Sequence, residues 1–301
     1  MTGLLSSLWP LFALIVGGFV LRRLRFPNDE FWPGAERINY FILFPALLFK
    51  SLASAPLRDP ALLRVALCVG LVMALAWLGL LLLRRRLQWK AARFGVFVQG
   101  SVRFNTYIGL AAVGAVFGSE GLALMALLLA ITVPAVNILS VYAFTADGNA
   151  RLGAAALAIL RNPLVLACAA GIAANFAGLG LGGGVDHFLG FLAATSLPLG
   201  LLCVGAALQP KALGGETMAL AATSAARLLL LPALAWLISA LLGLPALESA
   251  VLVLFFGLPS APTAYVLARQ LGGDAQLMAG IITLQTLLAA LSLPLLLQLV
   301  R

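Results

Sequence analysis

The chain has 301 residues, of which 63% are hydrophobic and only 10% charged, and its mean hydropathy is +1.09. That balance excludes a soluble globular domain. The net charge of +9 does not describe a nucleic-acid-binding face, because the basic residues fall between apolar runs, where they set membrane topology.

Ten apolar segments are predicted in chain order, each near the ~20 residues that cross a bilayer as a helix. They run Leu5–Leu21, Ile38–Ala55, Leu62–Leu83, Ala92–Phe117, Gly121–Phe144, Leu157–Leu179, Phe188–Leu208, Met218–Leu242, Leu247–Leu271 and Ala275–Val300. The first lacks a basic leader and a small-residue cleavage site, so it is expected to be a membrane helix and not a removable signal peptide. Cys68, Cys168 and Cys203 fall in apolar segments without metal-ligand spacing and read as small packing residues.

Membrane helix 4 is interrupted at Gly100-Ser101-Val102-Arg103-Phe104-Asn105-Thr106, and membrane helix 9 at Gly257-Leu258-Pro259-Ser260-Ala261-Pro262. Backbone groups freed by a break find no water in lipid, so such breaks survive only when buried in protein or lining a cavity. Paired interrupted helices in matching halves point to a transporter's substrate site. The halves echo one another elsewhere too: Pro45 in helix 2 matches Pro198 in helix 7, and Pro134 in helix 5 matches Pro294 in helix 10. Residues 1–150 and 151–301 therefore read as two five-helix repeats. An odd number of helices per repeat forces opposite orientations. The predicted fold is an all-α membrane protein of ten transmembrane helices in two inverted repeats.

Thirteen Lys and Arg residues fall in loops after odd-numbered helices, against three at Arg58, Arg64 and Arg301. The odd loops are thus expected in the cytoplasm and both termini on the other side of a cell inner (plasma) membrane. Arg84-Arg85-Arg86 reads as part of this signal, and lipid headgroups are its other natural partner.

All ten acidic residues lie in loops or at helix ends, whereas Lys50, Arg103 and Arg227 lie within apolar segments. A buried charge costs about 2.5–3.5 kcal/mol at a helix centre on insertion scales, so each needs a reason. Lys50 and Arg227 are expected to snorkel to the interfaces. Arg103 sits inside a break, and its planar fork suits a carboxylate or phosphate; capping of freed carbonyls is the alternative. Asn105 and Thr106 are the polar groups best placed for substrate, with Ser260 and Thr263 as counterparts beside Pro259 and Pro262. The half-helix starting near Pro262 would point amides and a partial positive charge at the cavity. Pro45, Pro198 and Gln285 are further cavity-lining candidates. Thr283, Thr286, Asn137, Thr195 and Ser196 line the cavity or hold helices together, and His187 is a surface residue. With one histidine and no buried acids, no catalytic set, metal site or cofactor site is expected, and the chain is not read as an enzyme.

The segments that carry family character are Asn39-Tyr40-Phe41-Ile42-Leu43-Phe44-Pro45-Ala46-Leu47-Leu48-Phe49, Phe104-Asn105-Thr106-Tyr107-Ile108-Gly109-Leu110, Arg161-Asn162-Pro163-Leu164-Val165, Leu197-Pro198 through Gly205-Ala206-Ala207-Leu208, and Leu258-Pro259-Ser260-Ala261-Pro262-Thr263-Ala264. Gly273-Asp274 and Thr286-Leu287-Leu288 follow them. In this order they resemble the auxin efflux carrier family over nearly the whole chain. The resemblance implies that helices 4 and 9 cross at unwound centres. It also implies a scaffold domain of helices 1, 2, 6 and 7 and a transport domain of helices 3–5 and 8–10. This architecture is shared with bile-acid/sodium symporters and some sodium/proton antiporters. Plant members export auxin, and bacterial members include proteins assigned as malonate and malate permeases. Here the segment Ala146 to Leu160 is short, where many plant members have a long loop. Arg103 also occupies a crossover that carries proline in several relatives. Both departures favour a small carboxylate, including a doubly charged one, over auxin.

The expected function is thus a permease or efflux carrier moving a small organic anion by alternating access. The alternative is a sodium- or proton-coupled symporter of the same fold. Expected partners are the anion and the lipid bilayer, with a homodimer allowed for and no nucleic acid.

Overall fold

The computed structural model describes residues 2–57, 61–147 and 161–299. The expected start of the sixth segment at Leu157, the repeat boundary at 150–151, and Arg58, Asp59, Arg151, Val300 and Arg301 lie outside the described residues. Among the described residues the regular structure is helical: α1 (Thr2–Arg23), α2 (Phe31–Ile38), α3 (Phe44–Ala53), α4 (Ala61–Leu87), α5 (Ala91–Val102), α6 (Thr106–Thr145), α7 (Pro163–Phe176), α8 (Gly183–Ala206), α9 (Thr217–Ala225), α10 (Leu231–Leu241), α11 (Ala246–Phe256), α12 (Thr263–Gln270) and α13 (Ala275–Leu299). Five stretches among them are long and apolar enough to cross a bilayer: Leu62–Leu87, Ala91–Thr145, Gly183–Ala206, Thr217–Leu241 and Ala275–Leu299. The chain is a multi-pass membrane protein.

Its surface agrees. On α4 the side chains of Leu63, Leu67, Leu71, Leu75, Leu78 and Leu82 are exposed, while Val65, Cys68, Val69 and Val72 are buried. An exposed leucine stripe at three- to four-residue spacing would be costly in water but is at ease against lipid tails.

Local sequence sets the helix ends. Asn162 accepts hydrogen bonds from the Leu164 and Val165 amides at 2.9 and 3.4 Å, and Pro163 holds the first position of α7. Both are preferred at a helix start, since the cap satisfies orphan amides and proline has none to lose. Asp274 caps α13 in the same way through the Leu277 amide at 2.9 Å. The family-like motifs at 161–165 and 273–274 are thus helix starts. Gly118 divides α6 with φ 61° and ψ −146°, a conformation that a side chain disfavours. It falls between the segments predicted to end at Phe117 and to begin at Gly121.

The chain forms two compact units. The first comprises 1–62, 106–133 and 158–207; the second comprises 63–105, 134–157 and 208–301. In the first, α1 packs on α8 at glycines. A Cβ at Gly205 would overlap the Ile15 carbonyl, and one at Gly18 would overlap the backbone of Leu202. Small residues of this kind let membrane helices approach backbone to backbone. Because the obstacle is backbone, no rotamer change relieves it. Gly205→Ala is therefore expected to destabilise the protein by about 1–3 kcal/mol, read as a lower melting temperature in detergent. Gly79→Ala, with no neighbour within 4 Å of the added Cβ among the described residues, serves as the neutral control. Elsewhere in this unit the Asn175 amide donates to the carbonyls of Leu52, Ala53 and Ala55 at 3.1, 3.0 and 2.7 Å, closing the end of α3.

In the second unit Asp147 accepts from Arg84 and from the Ala91 amide, both at 2.6 Å, tying the starts and ends of α4, α5 and α6 together. Arg93 forks onto Glu216 at 2.9 and 2.5 Å. That hydrogen-bonded fork holds the Glu216 carboxyl below its ordinary value of 4.5.

A wide π turn interrupts the helix in each unit, at Asn39–Leu43 and at Ala226–Leu230. Each is followed two residues later by a proline, Pro45 and Pro232. Proline lacks the amide that would bond the carbonyl four residues back, and the wider turn is one way a helix absorbs that loss. Each turn also carries a fully buried polar side chain, Asn39 and Arg227. Asn39 exchanges hydrogen bonds with Ser196, donating to its carbonyl at 3.0 Å and accepting from its hydroxyl at 2.8 Å.

Candidate functional site

Both predicted breaks are present, and they meet. Residues 103–105 separate α5 from α6, and residues 257–262 separate α11 from α12. The Asn105 amide donates to the Pro259 carbonyl at 2.8 Å.

The two breaks arise differently. After α11, Pro259 and Pro262 cannot donate to a helical ladder, and Gly257 ends the last turn. After α5 there is no proline. The chain turns extended at Arg103, with φ −75° and ψ 140°, and the orphan carbonyls of the α5 end find partners across the second unit. The Ser260 hydroxyl donates to the Gly100 carbonyl at 3.1 Å and lies 3.3 Å from that of Gln99. The Gln285 amide donates to Gly100 at 2.9 Å while its oxygen accepts from the Ser260 amide at 2.9 Å. Gln285 thus straps one break to the other from α13.

Arg227 supplies the rest. Its guanidinium donates to the carbonyls of Leu258, Phe255 (3.1 Å) and Ser101 (3.3 Å). It is fully buried. The expectation that Arg227 snorkels to an interface is therefore corrected: its donors are spent on the carbonyls at the ends of α5 and α11. A signal for this was in the sequence. Thr223, Ser224, Arg227, Leu228, Leu231 and Ala235 fall on one buried stripe, opposite exposed Leu229, Leu230 and Trp236. Lys50 does reach the helix end, where it pairs with Asp186 at 2.8 Å.

Arg103, half-buried, reaches Thr263 Oγ1 at 3.2 Å with its Nε, and Gln99 Oε1 at 3.2 Å and Asn137 Oδ1 at 3.3 Å with Nη1. Gln99 went unremarked in the sequence because it precedes the polar break by one residue. Its side chain is fully buried, and its Nε2 has no hydrogen-bond partner among the described residues. An amide donor therefore stands idle beside the guanidinium.

The structure thus brings Arg103, Asn105, Pro259, Ser260, Pro262, Thr263 and Gln285 onto one pair of breaks in the second unit. Their exposure differs. Arg103, Pro262 and Thr263 are half-buried, whereas Asn105, Pro259, Ser260 and Gln285 are buried. Gln285, expected to line a cavity, and Ser260, expected to face substrate, spend their polar atoms on the breaks themselves. The amides expected to be free after Pro262 are also used: Ala264 donates to Ala261 at 2.9 Å and Tyr265 to Pro262 at 3.0 Å. Thr106, Pro45 and Pro198 belong to the first unit. There Thr106 and Pro45 are half-buried and Pro198 exposed.

Thr283 accepts from the Gln209 amide at 2.9 Å, so it holds elements together. Thr195 bonds within its own helix to the Phe191 carbonyl at 2.8 Å. His187 is exposed and the three cysteines are buried.

Residues 152–297 match the family model described as membrane transport protein. The chain is also 28% identical over 287 residues to an uncharacterized transporter of Methanothermobacter thermautotrophicus, a match covering 94% of this chain and 93% of that protein. Both comparisons point to a transporter rather than an enzyme. They agree with the motifs read from the sequence, which resemble the auxin efflux carrier family: the chain is similar to membrane transport proteins.

Proposed function

We propose that this chain is a secondary carrier for a small organic anion, a carboxylate or dicarboxylate of the malonate or malate kind, working by alternating access. The observation that carries the reading is the meeting of the two breaks, with the half-buried Arg103 reaching from one to Thr263 on the other. A guanidinium suits a carboxylate bidentately. Beside it, Gln99 offers an idle amide donor, and the start of α12 adds a partial positive charge through its dipole. Thr263 and Asn105 complete the polar surface.

In this reading residues 1–150 and 151–301 are inverted five-helix repeats making ten transmembrane helices. A scaffold of membrane helices 1, 2, 6 and 7 supports a transport domain of helices 3–5 and 8–10. The termini face away from the cytoplasm of a cell inner membrane, and an inside-negative potential, worth about 2.3 kcal/mol per charge per 100 mV, drives the anion outward.

The test is a panel of labelled mono- and dicarboxylates in proteoliposomes at imposed potential. Saturable, potential-dependent flux of a dicarboxylate is expected. Flux no greater than in protein-free liposomes across the panel, or ohmic single-channel currents, would remove the reading.

A further inference from the structure

Arg227 presents a problem of charge that the substrate site does not explain. A fully buried guanidinium is tolerated only where its donors and charge are compensated. Its three acceptors among the described residues are backbone carbonyls, and they come from two helix ends: Ser101 lies in the last turn of α5, and Phe255 and Leu258 lie at and just beyond the end of α11. A helix C-terminus carries a partial negative charge of about half an elementary charge. Two such ends converge on one point here, and the Phe104 ring, 6.0 Å from the guanidinium carbon, faces the same cation.

In sodium-coupled carriers built on broken helices, unwound carbonyls and the C-terminal ends of half-helices are what hold the coupling ion. This chain assembles such a carbonyl cage and places its own cation inside it. The wide π turn at Ala226–Leu230 carries Arg227 at its second position, on the buried stripe of the helix.

We propose that Arg227 is a tethered substitute for a coupling cation, its guanidinium filling the carbonyl cage between the α5 and α11 ends so that the crossover neither binds nor needs sodium. The charge that neutralises the two helix ends is then covalent and permanent. A carrier so equipped moves its anion down the membrane potential without a sodium gradient. That transport consequence rests on the carrier reading above; the occupied cage does not.

The test begins with melting of the full-length protein in detergent, in sodium, potassium and choline chloride at matched ionic strength. Wild type is expected to melt at one temperature in all three. Arg227→Ala is expected to melt lower and to recover at least half the loss when sodium or sub-denaturing guanidinium is added, but not with bulky tetraalkylammonium. A sodium-specific rise for wild type, or an Arg227→Ala protein indifferent to every small cation, would overturn the proposal. Should Arg227→Ala not accumulate, Arg227→Lys and Arg227→Gln decide it. The lysine variant keeps the charge and should melt higher than the glutamine variant; the reverse order overturns the idea. In proteoliposomes, replacing sodium by choline on both sides should leave wild-type anion flux unchanged. Sodium-driven flux would defeat the tethered cation while leaving anion carriage standing. Absence of flux for any anion would defeat the carrier reading and leave the cage to the melting data.

Discussion

Replacing Arg103 with alanine is expected to cut saturable anion flux by at least ~30-fold, because truncating one partner of a desolvated charge pair costs about 2 kcal/mol or more. The protein should remain folded. Arg103 is half-buried, and of its partners, Thr263 and Asn137 are half-buried polar groups that water can serve in its place, while the buried Gln99 Oε1 loses its donor. The melting temperature should therefore fall only by the cost of that one contact, about 1–3 kcal/mol, while flux collapses. Arg103→Lys should fall between wild type and alanine, since an ammonium keeps the charge but cannot fork across two carboxylate oxygens. The check is initial rate against anion concentration for the three proteins, at equal reconstituted amounts confirmed by size exclusion. Wild-type flux in Arg103→Ala would remove Arg103 from the site. A large drop in melting temperature would mean that the side chain holds the break and not the anion.

The two breaks differ in how far they could be read from sequence, and the reason is physical. The second announces itself locally: Gly257, Pro259 and Pro262 lie within six residues, and proline cannot continue a helix. The first contains no proline. Its polar run suggested an interruption, but its orphan carbonyls are satisfied by Arg227, Ser260 and Gln285, more than a hundred residues downstream. No local pattern reports partners that distant. The same gap explains the roles misjudged from sequence. Hydropathy treats Arg227 as a charge to be brought to the nearest interface, and only its stripe-mates Thr223, Ser224 and Ala235 place it inward. Gln285 and Ser260 are polar residues near a break, and sequence cannot say whether such groups face a ligand or the backbone. Helix starts, by contrast, were legible because their physics is local, as with Asn162-Pro163 and Gly273-Asp274.

Gln285→Leu is expected to loosen the crossover itself and so to lower both stability and flux. The leucine is close to the glutamine in volume and apolar, so packing on α13 is largely kept and the loss isolates the hydrogen bonds. Two groups lose a partner. The Ser260 amide loses its acceptor outright, and a buried donor left unsatisfied costs about 1–3 kcal/mol. The Gly100 carbonyl loses one of two donors but keeps the Ser260 hydroxyl at 3.1 Å, so its loss is smaller. Both Gly100 and Ser260 are buried in protein, leaving little water to repair either group. Gln285→Asn should fail almost as badly, because an amide one methylene shorter cannot reach Ser260 and Gly100 together. This pattern separates a strap from a ligand. A ligand residue would raise the anion concentration at half-saturation with an unchanged melting temperature, whereas the strap lowers the melting temperature even without anion. An unchanged melting temperature in Gln285→Leu would show that the two breaks hold together without it.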